Sequence, residues 1–256
     1  MASATTFSNP TNNALSELVA SRQDGKAHLL LAASGSVATI KIPNIITALT
    51  AAHGPNRLSI RLILTTSATN FLSGQSPEQP TLQSLLSLPG LDGIYHDPDE
   101  WGRGPTVGQS EGVWRRGGTI LHIELRRWAD LMAVVPLSAN TLAKVVNGLC
   151  DNLLTSVVRA WDADGRVDGR RKRILVAPAM NTAMWLHPIT ARQIRVLSED
   201  WGVREDGEGG VVSGWFEVLR PQEKSLACGD VGDGAMKEWT EIVRIIEARL
   251  GLTSSA

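Results

Sequence analysis

Short runs that are apolar on both faces alternate along this chain with stretches of helical period. His28–Ala33 (HLLLAA), Ser59–Leu64, Leu131–Val135 and Arg173–Ala177 read as buried strands. Between and after them, Val37–Ala52, Ser67–Leu72, Ser138–Asn147, Asp151–Trp161, Pro188–Asp200 and Lys237–Leu250 read as helices. The first ends at His53-Gly54-Pro55, and Pro43 inside it is expected to kink it or reset its start. Gly148 supplies a C-terminal cap. In the last helix Trp239, Ile242, Val243, Ile246 and Leu250 share one face.

Strands that are apolar on both faces and alternate with helices mean a mostly parallel sheet covered on both sides. The expected fold class is therefore α/β: a doubly wound, three-layer single domain over residues 26–251. Residues 1–25 and 252–256 are expected to be disordered tails. Three insertions interrupt the pattern, near 73–89 (Ser/Pro/Gln-rich), 101–118 (Gly-rich) and 162–172 (charged, with Gly), and read as mobile surface loops. No internal repeat is present.

Composition narrows the class without choosing a function. Of 256 residues, 43% are hydrophobic and 20% charged, and the net charge is −1, which gives no footprint for nucleic acid or an anionic membrane surface. The longest apolar runs, such as Leu131–Leu137, are too short to span a bilayer. The N-terminal MASATTFSNPTNNALSE lacks a signal-peptide pattern, so a cytoplasmic location is expected. Cys150 and Cys228 make neither a disulfide framework nor a metal spacing, and on composition alone they read as two buried thiols. Eight Trp stand against three Phe and one Tyr. Several adjoin charges (Arg127-Trp128, Trp161-Asp162), which suggests surfaces or interfaces.

In doubly wound sheets ligands bind outside the carboxyl ends of the strands. Four such ends are readable. Ala33-Ser34-Gly35-Ser36-Val37-Ala38 is a small-residue turn into a helix, suited to an anion but lacking both GxGxxG and the P-loop GK[ST]. Thr65-Thr66-Ser67 and Pro136-Leu137-Ser138-Ala139-Asn140-Thr141 are the second and third. Capping accounts for each hydroxyl separately; one phosphate-bearing ligand accounts for them together. With no acidic cluster beside them, a metal is not implied, and a monophosphate with an apolar ring body, such as FMN, fits. The fourth end is Pro178-Ala179-Met180-Asn181-Thr182-Ala183-Met184-Trp185. Beside these stand His122, which is also readable as an ordinary core or surface histidine, and Arg126/Arg127, readable as a solvated face. Cys228 lies in a Gly-dense segment without secondary-structure period, a poor place for a core thiol.

The segments LLAASGSVATIK, LHIELRRWADLMAVVPLSANTLAKVVNGLCDNLL, VAPAMNTAMW and LACGDVGDGAM together closely resemble the phosphopantothenoylcysteine decarboxylases, of the homo-oligomeric flavin-containing cysteine decarboxylase family. The resemblance runs from about His28 to Leu250. It implies a flavodoxin-like or Rossmann-like domain that binds FMN and decarboxylates 4′-phospho-N-pantothenoylcysteine to 4′-phosphopantetheine in coenzyme A synthesis, by thiol oxidation, CO2 loss and reduction of the enethiolate. It assigns Gly35, Ser36, Val37, Thr66, Ser67, Ser138, Ala139, Asn140, Thr141 and Ala179 to the flavin. It assigns His122, Asn181 and Cys228 to catalysis, and Asn181, Met180, Ala227 and Met236 to the substrate. Met236 and the Gly-rich segment after Cys228 resemble a flap over bound substrate. One departure is that the family often has Lys or Arg close before LACG, whereas here Ser225 follows Lys224; the clamp on the substrate's polar end is expected to shift by a residue.

The resemblance also implies a homotrimer with sites between subunits, His122 from one and Asn181 with Cys228 from the next, or a hetero-oligomer with paralogues. Two other functions fit the scaffold: a phosphatase-inhibiting regulatory paralogue and a peptidyl-cysteine decarboxylase. The first tends to carry an acidic tail or lack part of the His/Asn/Cys set; this sequence keeps all three and ends Leu252-Thr253-Ser254-Ser255-Ala256.

Overall fold

A computed structural model describes residues 15–76, 78–100, 116, 118–207, 210–225 and 231–252. At its centre six strands, β1 (Ala27–Ala33), β2 (Leu58–Leu64), β3 (Leu91–Tyr95), β4 (Leu131–Leu137), β5 (Ile174–Pro178) and β8 (Phe216–Val218), form one sheet. Their order across it is β3-β2-β1-β4-β5-β8. Every pairing in that sheet is parallel. The order reverses between β1 and β4, which opens a crevice at their carboxyl ends.

Alternate residues of each strand feed two cores. Leu29, Leu31 and Ala33 pack with α2 (Ile42–His53) and the closing helix α10 (Trp239–Arg249) on one face. Leu30 and Ala32 pack with α1 (Leu15–Ala20), α5 (Leu121–Trp128), α6 (Ala139–Val146), α7 (Leu153–Ala160) and α9 (Pro188–Arg195) on the other. This is the three-layer α/β architecture expected from the strand pattern, of flavodoxin-like, Rossmann-like type.

Of the two outcomes expected of Pro43, a kink or a reset start, the second is found: a 3-10 turn, Val37–Lys41, comes first and α2 starts with Pro43 in its first turn, where a missing N–H costs nothing. Several other local expectations are corrected. The helix expected over Ser67–Leu72 is one turn, α3 (Thr66–Thr69), and α9 is extended by a π turn, Val196–Asp200. The N-terminal tail does not reach residue 25: α1 sets Leu18, fully buried, against α5. Residues 73–89 hold a short helix, α4 (Leu82–Leu86), anchored by buried Leu85. Trp128 and Trp161 are core residues despite their charged neighbours, and Cys150 is exposed. Most of the insertion near 101–118 lies outside the described residues.

The insertion at 162–172 is stapled down instead of hanging free. Asp162 accepts the backbone N–H groups of Arg166, Val167 and Asp168 at 3.1, 2.8 and 2.6 Å. Asp168 pairs with Arg126 of α5 at 2.9 Å and with Lys172 at 2.9 Å, and Lys172 Nζ donates to the Arg126 carbonyl at 2.6 Å. Arg126 is thus buried, and the solvated-face reading fails for it. Burial pushes the Lys172 ammonium below the usual lysine value, opposed by Asp168.

A small hairpin, β6 (Arg204–Glu205) with β7 (Val211–Ser213), forms a two-stranded sheet of its own next to β8, where the Val203 N–H donates to the Phe216 carbonyl at 2.9 Å. A second, β9 (Gln222–Ser225) with β10 (Val231–Ala235), lies beside the loop after β5: Met180 N–H donates to the Gly234 carbonyl at 3.0 Å.

Candidate functional site

The carboxyl ends of β1, β2, β4 and β5 each turn into a helical segment through a residue whose side chain caps it. Ser36 Oγ accepts the Ala38 N–H at 3.4 Å, Thr65 Oγ1 the Ala68 N–H at 3.3 Å and Ser138 Oγ the Thr141 N–H at 3.3 Å. Asn181 Oδ1 accepts the Met184 N–H at 2.8 Å, capping α8 (Thr182–Leu186). Ser34, fully buried, ties two of these ends together: its hydroxyl donates to the Pro136 carbonyl at 2.9 Å and accepts the Ser138 N–H at 2.7 Å. Capping therefore uses some of the hydroxyls, but the four ends still converge on one place.

That place is a cavity of about 850 Å³, within the range of small-molecule and cofactor sites, roughly 300–1,000 Å³. Gly35, Ser36, Val37, Thr66, Ser67, Ser138, Ala139, Asn140, Thr141, Ala179, Met180, Asn181 and Met236 all line it. Among the described residues, the Ser67 hydroxyl and the Asn140 amide make no hydrogen bond, so both can serve a ligand. Gly35 makes the cradle: a Cβ there would stand 2.6 Å from Ser67 Cβ. Only glycine lets the first turn approach the second so closely. Donors from hydroxyls and amides at one end, with Ala179, Met180, Met236 and Phe71 elsewhere on the wall, fit a ligand with an anionic head and an apolar body.

Two sequence assignments part company with the cavity. His122 does not line it; it sits on the first turn of α5 with Nδ1 against Glu100 Oε1. Trp185, the last residue of the fourth strand end read as a ligand-binding end, packs against the core and does not line the cavity, whereas Met180 and Met184 do. The assignments to Ala227 and Cys228 lie outside the described residues. The strands on either side of that segment belong to β9–β10, from which Gln222, Gly234 and Ala235 reach the cavity.

The sequence reading also missed lining residues. Asp97 accepts the Leu153 N–H at 3.1 Å and the Thr66 hydroxyl at 3.2 Å, tying the end of β3 to α3 and α7. The short apolar stretch before His96-Asp97-Pro98 was the available signal for it. Lys144 and Asp151 face each other at 2.7 Å at the rim, and the lysine holds the Asp151 carboxyl below its usual range. Two separate carboxylates thus border the cavity, each already committed to its own partners.

Fold and cavity together define a flavodoxin-like α/β protein with a candidate ligand cavity at the topological switch point. The model of the Flavoprotein family matches residues 17–251. In Saccharomyces cerevisiae, coenzyme A biosynthesis protein 3 is 40% identical over 234 residues, 91% of this chain and 35% of that protein. A solved phosphopantothenoylcysteine decarboxylase, a cysteine-to-serine mutant complexed with pantothenoylaminoethenethiol, superposes with a TM-score of 0.63 at 37% identity, covering 87% of this chain and 97% of that one. The FMN binding protein AtHal3 superposes with a TM-score of 0.60 at 39% identity, covering 87% and 96%. The chain spans 30–41% of the length of the fungal relatives it matches, and 76–89% of plant and mouse relatives. It belongs to the Flavoprotein family and, within it, to the phosphopantothenoylcysteine decarboxylase group.

Proposed function

We propose that this chain binds FMN and decarboxylates 4′-phospho-N-pantothenoylcysteine to 4′-phosphopantetheine, a step of coenzyme A synthesis. The observation that carries the reading is the commitment of Asn181. Its Oδ1 is spent on the Met184 N–H, so its NH2 is the end left to donate, and Asn181 lines the same cavity as the three hydroxyl-rich turns.

Gly35, Ser36, Val37, Thr66, Ser67, Ser138–Thr141 and Ala179 would hold the cofactor. When bound, FMN supplies the two-electron sink and source that thiol oxidation and the later reduction require. Oxidation of the substrate thiol gives a thioaldehyde, the sulfur analogue of a β-keto acid, into which the carboxylate's electrons can move as CO2 departs. Asn181 donates to the carboxylate and holds its C–C bond out of the C=S plane, so that bond overlaps the π system. A lysine there would stabilise charge that vanishes in the transition state. Met180 and Met184 give the apolar wall that favours charge dispersal. Cys228 protonates the enethiolate on the way to the aminothiol, with no net redox change.

His122 takes the thiol proton. Its place away from the cavity fits delivery from a neighbouring subunit, so the proposed assembly is a homotrimer with each site shared between two chains. The test is to release and chromatograph the cofactor, then incubate the protein with phosphopantothenoylcysteine and weigh the product. FMN and loss of one CO2 per substrate support the reading; FAD, no flavin, or intact substrate overturns it.

A further inference from the structure

His122 is held in one orientation by a turn from a different part of the chain. β3 ends at Tyr95, and the chain then makes a tight turn, Asp97–Asp99, that is pinned on three sides. Asp99 accepts the His96 N–H at 2.7 Å, and Asp97 accepts from Leu153 at 3.1 Å and Thr66 at 3.2 Å. Glu100 follows at once, its own N–H on the Asp97 carbonyl at 3.3 Å. Its side chain is only 7% exposed, and Oε1 meets His122 Nδ1. The other oxygen, Oε2, is buried and has no hydrogen-bond partner among the described residues. A buried carboxylate with one partner is not there for stability alone, because each unpaired oxygen costs desolvation.

The histidine is fixed from the other side as well. One turn along α5, Arg126 is tied to Asp168 at 2.9 Å and to the Ala160 carbonyl at 3.3 Å, and its own carbonyl accepts from Lys172 at 2.6 Å. Helix and turn are both anchored, so the contact between them sets the ring rather than the ring setting the contact.

Facing an ionised carboxylate, which can only accept, a neutral imidazole keeps its proton on Nδ1 and its lone pair on Nε2. We propose that Glu100 is a positioning residue: it fixes the Nδ1–H tautomer of His122 and presents Nε2 as the base for the substrate thiol. In the step it supports, the S–H bond breaks, the proton goes to Nε2, and the imidazolium so formed sits against the Glu100 carboxylate. This rests on the role given to His122 above.

The test reads the tautomer directly. ¹⁵N imidazole spectra of the resting protein are compared for wild type, Glu100→Ala and Glu100→Gln, with His122→Asn assigning the signal. The wild type should carry its proton on Nδ1, and Glu100→Ala should shift it toward Nε2. Turnover by Glu100→Ala should fall about 10–100-fold, the scale for losing a ring-orienting partner. KM should stay within about twofold, because no substrate contact is removed. Glu100→Gln keeps an oxygen that accepts from Nδ1, so it should hold the tautomer and lose less. A wild-type proton on Nε2, an unmoved tautomer in Glu100→Ala, or equal damage from Ala and Gln overturns the proposal. Full turnover by His122→Asn would instead overturn the role of His122 and leave the tautomer assignment intact.

Discussion

Adding one methyl group at Gly35 tests whether the cradle is built from the close approach of two turns. Gly35 is not in the left-handed region, so alanine meets no backbone penalty there; the whole effect is contact. The new Cβ would lie 2.6 Å from Ser67 Cβ, against about 3.5–4.0 Å for carbons at rest. Roughly 1 Å must be found, and neither atom is the end of a flexible side chain. β1 and β2 are paired along their full length, Ala27↔Leu58 to Ala33↔Leu64, so the turns rather than the strands must give. Overpacking of this kind costs about 1–3 kcal/mol. If the displaced turn also holds the cofactor's anionic end, affinity falls by about 5–150-fold, the same energy read as a ratio. Ser67→Gly removes the opposing carbon and should cost less than about 1 kcal/mol alone, as glycine in a helical turn. The double variant should then recover about 1–2 kcal/mol relative to additivity. Urea unfolding without cofactor measures the cycle, and flavin fluorescence titration measures affinity. Additive single effects, or a Gly35→Ala protein with unchanged stability and affinity, would refute the close-approach account.

Four further outcomes are expected, two of them from the proposed roles of Cys228 and the proposed trimer. Asn181→Asp keeps the cap on Met184 but sets a carboxylate against the substrate's own, so CO2 release should fall by roughly a hundredfold or more, about 3 kcal/mol; gas release in a coupled assay checks it. Cys228→Ser should still release CO2 yet stall before reduction, because a hydroxyl is a far weaker acid than a thiol of pKa about 8.5; normal aminothiol by mass analysis would remove the cysteine from that role. Asp162→Ala should destabilise by about 2–4 kcal/mol through lost charge-assisted hydrogen bonds. Burial alone would raise that carboxyl, but three backbone N–H donors outweigh it and hold it low. Its contribution is therefore present above the unfolded value of about 4 and fades as pH falls through the depressed folded value, so the variant and wild-type curves should converge in acid. Finally, co-expressed His122→Asn and Cys228→Ser should recover about a quarter of wild-type activity by random mixing in trimers, whereas a site within one chain predicts none.

The legible parts of this protein are those where burial is symmetric. β1, β2, β4 and β5 are buried at nearly every residue, so their apolar runs stand out. β3 escaped because it is an edge strand, Leu91-Asp92-Gly93-Ile94-Tyr95, whose Asp92 and Gly93 break the run; β8 is three residues with Glu217 in the middle. α5 escaped for the opposite reason: Glu124 and Arg126 are buried and pair with charges from distant segments, Arg22 and Asp168, which no local pattern records. The same pairing hid the anchored character of 162–172, where Lys172 is buried against Asp168 and Trp161. At the site, the hydroxyl-rich strand ends were readable because strand-to-helix turns need caps and phosphates need donors, and both put Ser and Thr in the same places. Asp97 was not, since its position follows from β3. Glu100 was not, since its partner lies 22 residues on in a helix the pattern did not reveal.

Rapid mixing of the purified protein with phosphopantothenoylcysteine, excluding oxygen and following visible absorbance together with CO2, tests the central claim most directly. The account requires one cavity to serve oxidation, decarboxylation and reduction in turn, with no outside oxidant. It predicts that the flavin band bleaches and recovers within each turnover, that one CO2 appears per substrate consumed, and that the product is the saturated aminothiol. A band that never changes while CO2 is released, or one that bleaches and stays bleached until oxygen is admitted, would contradict it.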